Sequence, residues 1–168
     1  MIKLIINELK KIGILKLIIS FLIFLLIIII IYEFNDNMKN TIFKILSNTN
    51  LTSNVYIMTL KGDTRGIRCG QFVNIQLDGL FLRRPISVCD LDEKCVTIIY
   101  KVVGKGTEEL SKLTSGKLDI LTGLGNGYDL SLSGNTPLLI GGGVGVPPMY
   151  LLAKRLIAQG KEVSVVLG

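Results

Sequence analysis

Residues 81–90 read "FLRRPISVCD", and the fold turns on what this run is. Its apolar positions read as a half-buried strand, yet it carries Arg83, Arg84, Pro85 and Ser87. A proline cannot donate to a sheet ladder, so Pro85 marks an edge or a bulge. It also biases the residue before it toward extended backbone, which aims the Arg84 side chain reproducibly. The Arg84 guanidinium is a planar fork of donors that suits a diphosphate, and the Ser87 hydroxyl can meet a polar ring edge. Taken alone, the stretch is as readily a surface arginine pair beside a strand-breaking proline. Its surroundings have to decide.

Working outward, "TIFKIL" (41–46), "VYIMTL" (55–60) and "FVNIQL" (72–77) each read as a half-buried strand between polar or glycine-bearing turns. "LRRPISV" (82–88) and "CVTIIYKVV" (95–103) continue the pattern across a polar turn at 89–94. Strands at this spacing with no helix between them predict a small antiparallel barrel or sandwich. "GKGTEELSKL" (104–113) predicts a short helix with Thr107 as N-cap and Glu108 and Glu109 in its first turn. "KLDIL" (117–121) is a further strand, and "TGLGNGYDL" (122–130) a glycine-rich loop.

From Thr136 the grammar changes. "PLLIGGG" is a continuous apolar strand ending in glycines, "VPPMYLLAKRLIAQG" is apolar at helical spacing, and "EVSVVL" (162–167) is a second strand. Strand, glycine loop, helix, strand is the opening βαβ of a doubly wound nucleotide-binding domain. One such unit cannot bury both faces of a parallel sheet, so the second domain is expected to be incomplete.

"GGGVGVPP" (141–148) is a candidate phosphate turn. Glycines admit a pyrophosphate close to the backbone, and the free N–H groups of a helix start favour it. A tight turn without ligand would look the same, since the run is not a full G-x-G-x-x-G. "GKGT" (104–107) is a second candidate cradle, or an ordinary loop and cap. "IIYK" (98–101) offers an aromatic that either stacks on a flat cofactor or fills the barrel core.

Composition excludes several chemistries. The 168 residues contain no histidine, so His-based triads and His-ligated metal sites are out. Cys69, Cys89 and Cys95 form no C-x-x-C, so neither a zinc knuckle nor a complete iron–sulfur motif can be read. The odd count points to reduced, buried thiols in a cytosolic protein. Residues 1–37 hold four lysines against three acidic residues, which leaves fifteen basic and ten acidic residues in 38–168. That mild excess has no stripe interleaved with aromatics, which argues against nucleic acid and suits a polyanionic small molecule.

Residues 17–32 carry no charge, and with 12–16 added the run is long enough to span a bilayer. No small-x-small cleavage site follows it. The lysines ahead of it (Lys3, Lys10, Lys11, Lys16) and Glu33 and Asp36 behind it would keep the N-terminus inside and send 38–168 outside. That is a poor place for a cofactor-using domain. Two expectations therefore stand side by side: a real anchor, or a translation start at Met38 with 1–37 an upstream artefact lacking Ala, Val, Pro, Arg, Thr and Gln.

In order and spacing, "LRRPIS", "IIYKVVGKGT", "GLGNGYDL" and "GGGVGVPPMY" resemble the ferredoxin–NADP reductase superfamily. Within it they most resemble the electron-transfer subunits of NAD-linked (type B) dihydroorotate dehydrogenases. The resemblance covers 38–168. It implies an antiparallel Greek-key FAD-binding barrel over 38–132, then the start of an NAD-binding domain over 135–168, behind the hydrophobic segment 1–37. It further implies that Arg84, Pro85, Ile86 and Ser87 hold FAD, with Arg84 on the pyrophosphate and Ser87 beside the isoalloxazine. Ile99, Tyr100 and Lys101 would line the ring and ribityl side, Gly106 and Thr107 the diphosphate. Gly141, Gly142, Gly143 and Gly145 would face the nicotinamide nucleotide.

The implied function is passage of electrons from dihydroorotate, oxidised in a partner catalytic subunit, to NAD+ in pyrimidine biosynthesis. No residue of this chain would act as a catalytic acid or base. The family carries a [2Fe–2S] cluster whose cysteines lie toward its C-terminus, and no cysteine follows Cys95 here. The implied location is the cytoplasm, or a single-pass membrane protein if 1–37 is translated. Rival readings are another reductase subunit of the superfamily, such as a ferredoxin-NADP or electron-bifurcating partner, and a membrane-tethered non-catalytic remnant.

Overall fold

The structure, a computed structural model, describes residues 2–37 and 39–168, with side chains described at 13–30 and 39–168. The possible start at Met38 lies outside the described residues. The chain divides into two compact units, Met1–Asp36 and Asn37–Gly168. The first is one helix, α1 (Ile2–Asn37), longer at both ends than the uncharged run alone.

The second unit opens with six strands: β1 (Lys39–Asn50), β2 (Val55–Lys61), β3 (Phe72–Ile75), β4 (Arg84–Leu91), β5 (Cys95–Lys101) and β6 (Lys117–Leu124). They close into a barrel in the order β1-β2-β5-β4-β3-β6, every neighbour antiparallel. β3, β4 and β5 are consecutive neighbours and β2 returns beside β5, which is the Greek-key connection. Closure leaves the barrel no free edge strand.

Alternation fills the interior. Phe43 and Ile45 on β1, Met58 and Leu60 on β2, Val73 and Ile75 on β3, Val96 and Ile98 on β5, and Leu118 and Ile120 on β6 are all buried, as a period-2 pattern requires. Between β5 and β6 runs α2 (Lys105–Lys112), which adds the fully buried Leu110 to the same core. The Asn48 amide holds α2 in place by donating to the carbonyls of Leu110 and Leu113, each at 2.9 Å. Its Oδ1 accepts from the Tyr100 hydroxyl at 3.0 Å.

Beyond the barrel, β7 (Leu138–Gly141), α3 (Val146–Ala158) and β8 (Ser164–Leu167) form a parallel βαβ unit. Leu151 and Leu156 of α3 join the barrel's apolar cluster, so one continuous core runs through residues 39–168. Leu138, Ile140, Val165, Val166 and Leu167 of the two-stranded sheet are exposed.

Several boundaries differ from expectation for identifiable reasons. The turn expected at 89–94 shrinks to 92–94, because the Asp92 carboxylate accepts from the Lys94 and Cys95 amides at 2.8 and 2.6 Å. Cys89, Asp90 and Leu91 therefore lie in β4, where the β4–β5 register shifts between Val88 and Asp90. The N-cap of α2 is Gly104, not Thr107. Thr107 sits three residues into the helix and reaches back, its Oγ1 accepting from the Val103 and Gly104 amides and donating to the Gly104 carbonyl at 3.0 Å. β6 runs on through Leu124, so the glycine loop begins later than read.

Candidate functional site: the cleft between the splayed ends of two strands

β4 pairs with β5 only from Val88 onward. Ahead of that point, Arg84, Pro85, Ile86 and Ser87 keep β3 as their neighbour but have no partner on the β5 side. Pro85 thus stands at a local edge inside a closed barrel, where a missing N–H costs nothing. Where the two strands part, a cavity of about 330 Å³ opens. One wall is residues 84–87 of β4, the other Ile99, Tyr100 and Lys101 of β5, and Val103, Thr107 and Val144 close the ends. A neighbouring cavity of about 280 Å³ shares Ile99, Tyr100, Lys101 and Val144 and extends to Val55, Gly143 and Pro147. The two form one apolar trough with cations at one end, a size and make-up typical of small-molecule sites.

The adjacent arginines do opposite things: Arg83 lies just ahead of β4, and Arg84 is its first residue. Arg83 is structural. Its Nη1 donates to the Asn74 carbonyl (3.2 Å), the Asp119 carbonyl (3.3 Å) and Asp119 Oδ1 (3.0 Å), pinning β3 and β6 together. Arg84 turns toward the cleft. Its Nη1 donates to the Leu82 carbonyl at 2.6 Å, and its guanidinium lies so close over Gly106 that any β-carbon there would overlap Nε. That lays a guanidinium on the first turn of α2, whose positive dipole end repels it. Lys105 opens the same helix and Lys101 lines the cleft. Among the described residues no acidic side chain lines the cleft, and Glu108 of that turn is paired with Lys112 at 3.3 Å.

Thr107 lines the cleft too, but its hydroxyl is engaged by the backbone of residues 103–104. Its part is to shape the turn, so the donors this end of the cleft can offer are Arg84 and the orphan amides of the helix start. Tyr100 faces inward. Its ring is buried, stacks on Tyr56 with centroids 5.7 Å apart, and burial pushes its hydroxyl pKa up to about 12. Ile99 and Lys101, its outward neighbours, present the free side chains.

The glycine run at 141–145 is divided in use. Gly141 lets β7 close on α3, since a β-carbon there would lie 2.9 Å from Met149 Cγ. Gly143 takes a left-handed φ of 53° and reaches the trough with Val144. Its amide already donates to the Gly168 carbonyl (3.1 Å), and that of Gly145 to Gly142 (2.9 Å). Pro147 and Pro148 have no N–H to give. This helix start is therefore poorer in free donors than its glycine content suggests, and α2 is the better anion site.

Residues not named for the site from the sequence are Val103 and Val144, which lie inside quoted motifs, and Val55, which was read only as the start of a strand. Gln71 was also missed. It is fully buried, accepting from the Arg68 amide and donating to the Gly125 carbonyl, both at 2.8 Å, and so ties the loop before β3 to the loop after β6. Tyr128 covers Gly70, where φ is 83° and a β-carbon would meet the ring at 2.5 Å.

No family model matches the chain. Over 141 residues it is 44% identical to the dihydroorotate dehydrogenase B (NAD(+)), electron transfer subunit, of Bacillus pumilus, covering 78% of this chain and 55% of that relative. It is also 44% identical over 131 residues to the protein of the same name from Fusobacterium nucleatum, covering 72% and 51%. Among solved structures, one of an NADH-dependent reduced ferredoxin–NADP oxidoreductase, described for flavin-based electron bifurcation, superposes with a TM-score of 0.68. Its identity is 33%, over 75% of this chain and 48% of that one. The chain spans about half the length of the curated relatives it matches.

Proposed function

We propose that residues 39–168 work as the flavin-binding part of an electron-transfer subunit serving an NAD-linked dihydroorotate dehydrogenase, in pyrimidine biosynthesis. A partner catalytic subunit oxidises dihydroorotate, and NAD+ takes the electrons, all in the cytoplasm. In this assignment 38–132 is the flavin domain and 135–168 the beginning of the nicotinamide-nucleotide domain. One observation carries the reading: Arg84 stacked over Gly106 at the start of α2, at the charged end of an apolar trough built from β4 and β5.

The residues suit FAD. The cationic end sets the Arg84 guanidinium directly against Gly106 at the start of α2, a charge and donor geometry that suits a diphosphate. Pro85, Ile86 and Ile99 supply apolar walls for a flat ring, and Ser87 a hydroxyl at its edge. When bound, FAD supplies the electron exchange with NAD+. The protein's work is positional. Arg84 and the α2 amides hold the diphosphate, the splayed strands fix the ring plane and exclude water from one face, and Gly143 leaves room beside it. Tyr100 keeps the far wall rigid through Tyr56 and Asn48. No side chain here is assigned a proton transfer.

The [2Fe–2S] cluster does not fit this chain's residues. Among the described residues no three Cys, His, Asp or Glu side chains come together. Burial raises Cys69 and Cys89 to about 11, opposite to the thiolate a cluster needs. No step is assigned to it.

The likeness to a ferredoxin–NADP oxidoreductase supports a second reading, a reductase subunit with another electron donor. The test is titration of purified chain with FAD and FMN, followed by flavin fluorescence, then mixing with NADH under argon. Saturable FAD binding with bleaching by NADH supports the proposal, and failure to bind either flavin overturns it. Flavin reduction by dihydroorotate that requires an added dihydroorotate-oxidising subunit separates the first reading from the second.

A further inference from the structure

The flavin reading leaves α1 without a role, and α1 has the more unusual surface. Its window Gly13–Ile30 has a mean hydropathy of 3.1, and none of it is buried inside the protein. Exposure runs right round the helix: Phe21, Leu22, Ile23 and Phe24 point in four successive directions and are 53–62% exposed. A helix lying flat on a membrane needs a polar face, and one docking in a protein groove needs a single apolar stripe. This helix has neither, because Ser20 is the only small polar residue between 17 and 32. Eighteen residues rise about 27 Å, close to the roughly 30 Å hydrocarbon core of a bilayer. Lys16, one turn inside the window, is long enough to carry its ammonium back to the headgroups, and charge returns outside it at Lys10 and Lys11 before and Glu33, Asp36 and Lys39 after.

We propose that residues 13–30 span a lipid bilayer and tether the barrel-bearing chain to its cytoplasmic face, against the orientation that the lysines ahead of the span would favour, so that its electron transfer takes place at a membrane. The tether rests on α1 alone and stands or falls apart from the flavin assignment.

The test uses the full chain in bacterial cells, with flotation of lysate on a sucrose gradient before and after an alkaline carbonate wash, and intact mass of the floated protein. The expected result is full-length chain that floats, resists carbonate and dissolves in mild detergent. The variant carrying Phe24→Lys and Ile27→Lys should place at least about tenfold more chain in the soluble fraction, with an unchanged urea transition for the barrel. Four results overturn the proposal: chain that pellets without floating, chain stripped by carbonate, chain shortened at its N-terminus as a cleaved export signal would be, or a double-lysine variant that floats as before.

Discussion

Arg84 and Gly106 compete for one volume: the guanidinium occupies the place where any other residue at 106 would put its β-carbon. A strand residue and a helix residue twenty-two positions apart are thus matched in size at the charged end of the cleft. Gly106→Ala should displace Arg84 and weaken FAD binding by about tenfold to a hundredfold, the worth of one or two charge-assisted hydrogen bonds. The same change removes a helical glycine, which favours α2 by up to about 1 kcal/mol. Flavin titration beside thermal melting of the apoprotein checks both. Weaker binding with an undiminished melting temperature is expected, and a parallel loss of both would mean that Gly106 serves packing alone.

The neighbouring arginines should separate function from stability. Arg83→Ala cuts the link from β4 to Asn74 and Asp119 and should cost about 1 kcal/mol, modest because the pair is partly exposed. Flavin content per folded chain should hold. Arg84→Ala should do the reverse, leaving the urea midpoint near its original value while FAD dissociates. Equal flavin content in the two purified variants would contradict the division.

Gln71 is buried with both ends of its amide engaged. Gln71→Ala leaves the Arg68 amide and the Gly125 carbonyl without partners and should cost about 2 to 3 kcal/mol in urea unfolding. Gln71→Glu should be no better, since its carboxylate cannot donate to Gly125.

Alkali should weaken the fold through groups buried in their neutral forms. Burial lifts Cys69 and Cys89 from 9.0 to about 11, and Tyr100 from 10.0 to about 12. A raised folded pKa means that stability is full below the unfolded value and is lost as pH climbs through the folded one. Urea midpoints should stay level to about pH 9 and fall steadily toward pH 12. Tyr100→Phe should flatten the upper part of that fall, at the expense of the hydrogen bond to Asn48.

The barrel and the βαβ unit could be read from the chain because both rest on local periodicity, and Pro85, Gly104 and Asp92 punctuate it. The site was legible as a set of motifs. Its working geometry was not, because that depends on where β4 and β5 stop pairing, a fact no run of letters carries. The reading gave Thr107 the cap of α2 because threonine favours that position, but Gly104 holds it and Thr107 closes the turn from behind. Tyr100 could have faced a ligand or the core, and the inward phase of β5 settled that its ring is buried. Asn48 binds partners dozens of residues away, and Gln71 links Arg68, three residues back, to Gly125, 54 residues on, so the long-range half of each role had no local signature.

The closing seam of the barrel also sets a timetable for synthesis. Lys39 at the start of β1 pairs with Thr122 of β6, and the Thr122 hydroxyl bonds the Lys39 carbonyl across 83 positions of sequence. At about 5–20 residues per second, a ribosome that has made β1 needs roughly 4–15 s more to deliver the strand that seals it. Through that interval the β1–β2 hairpin carries an open flank and a bare Phe43. This is the time in which a nascent chain is most exposed to self-association, and in which a chaperone has most to protect.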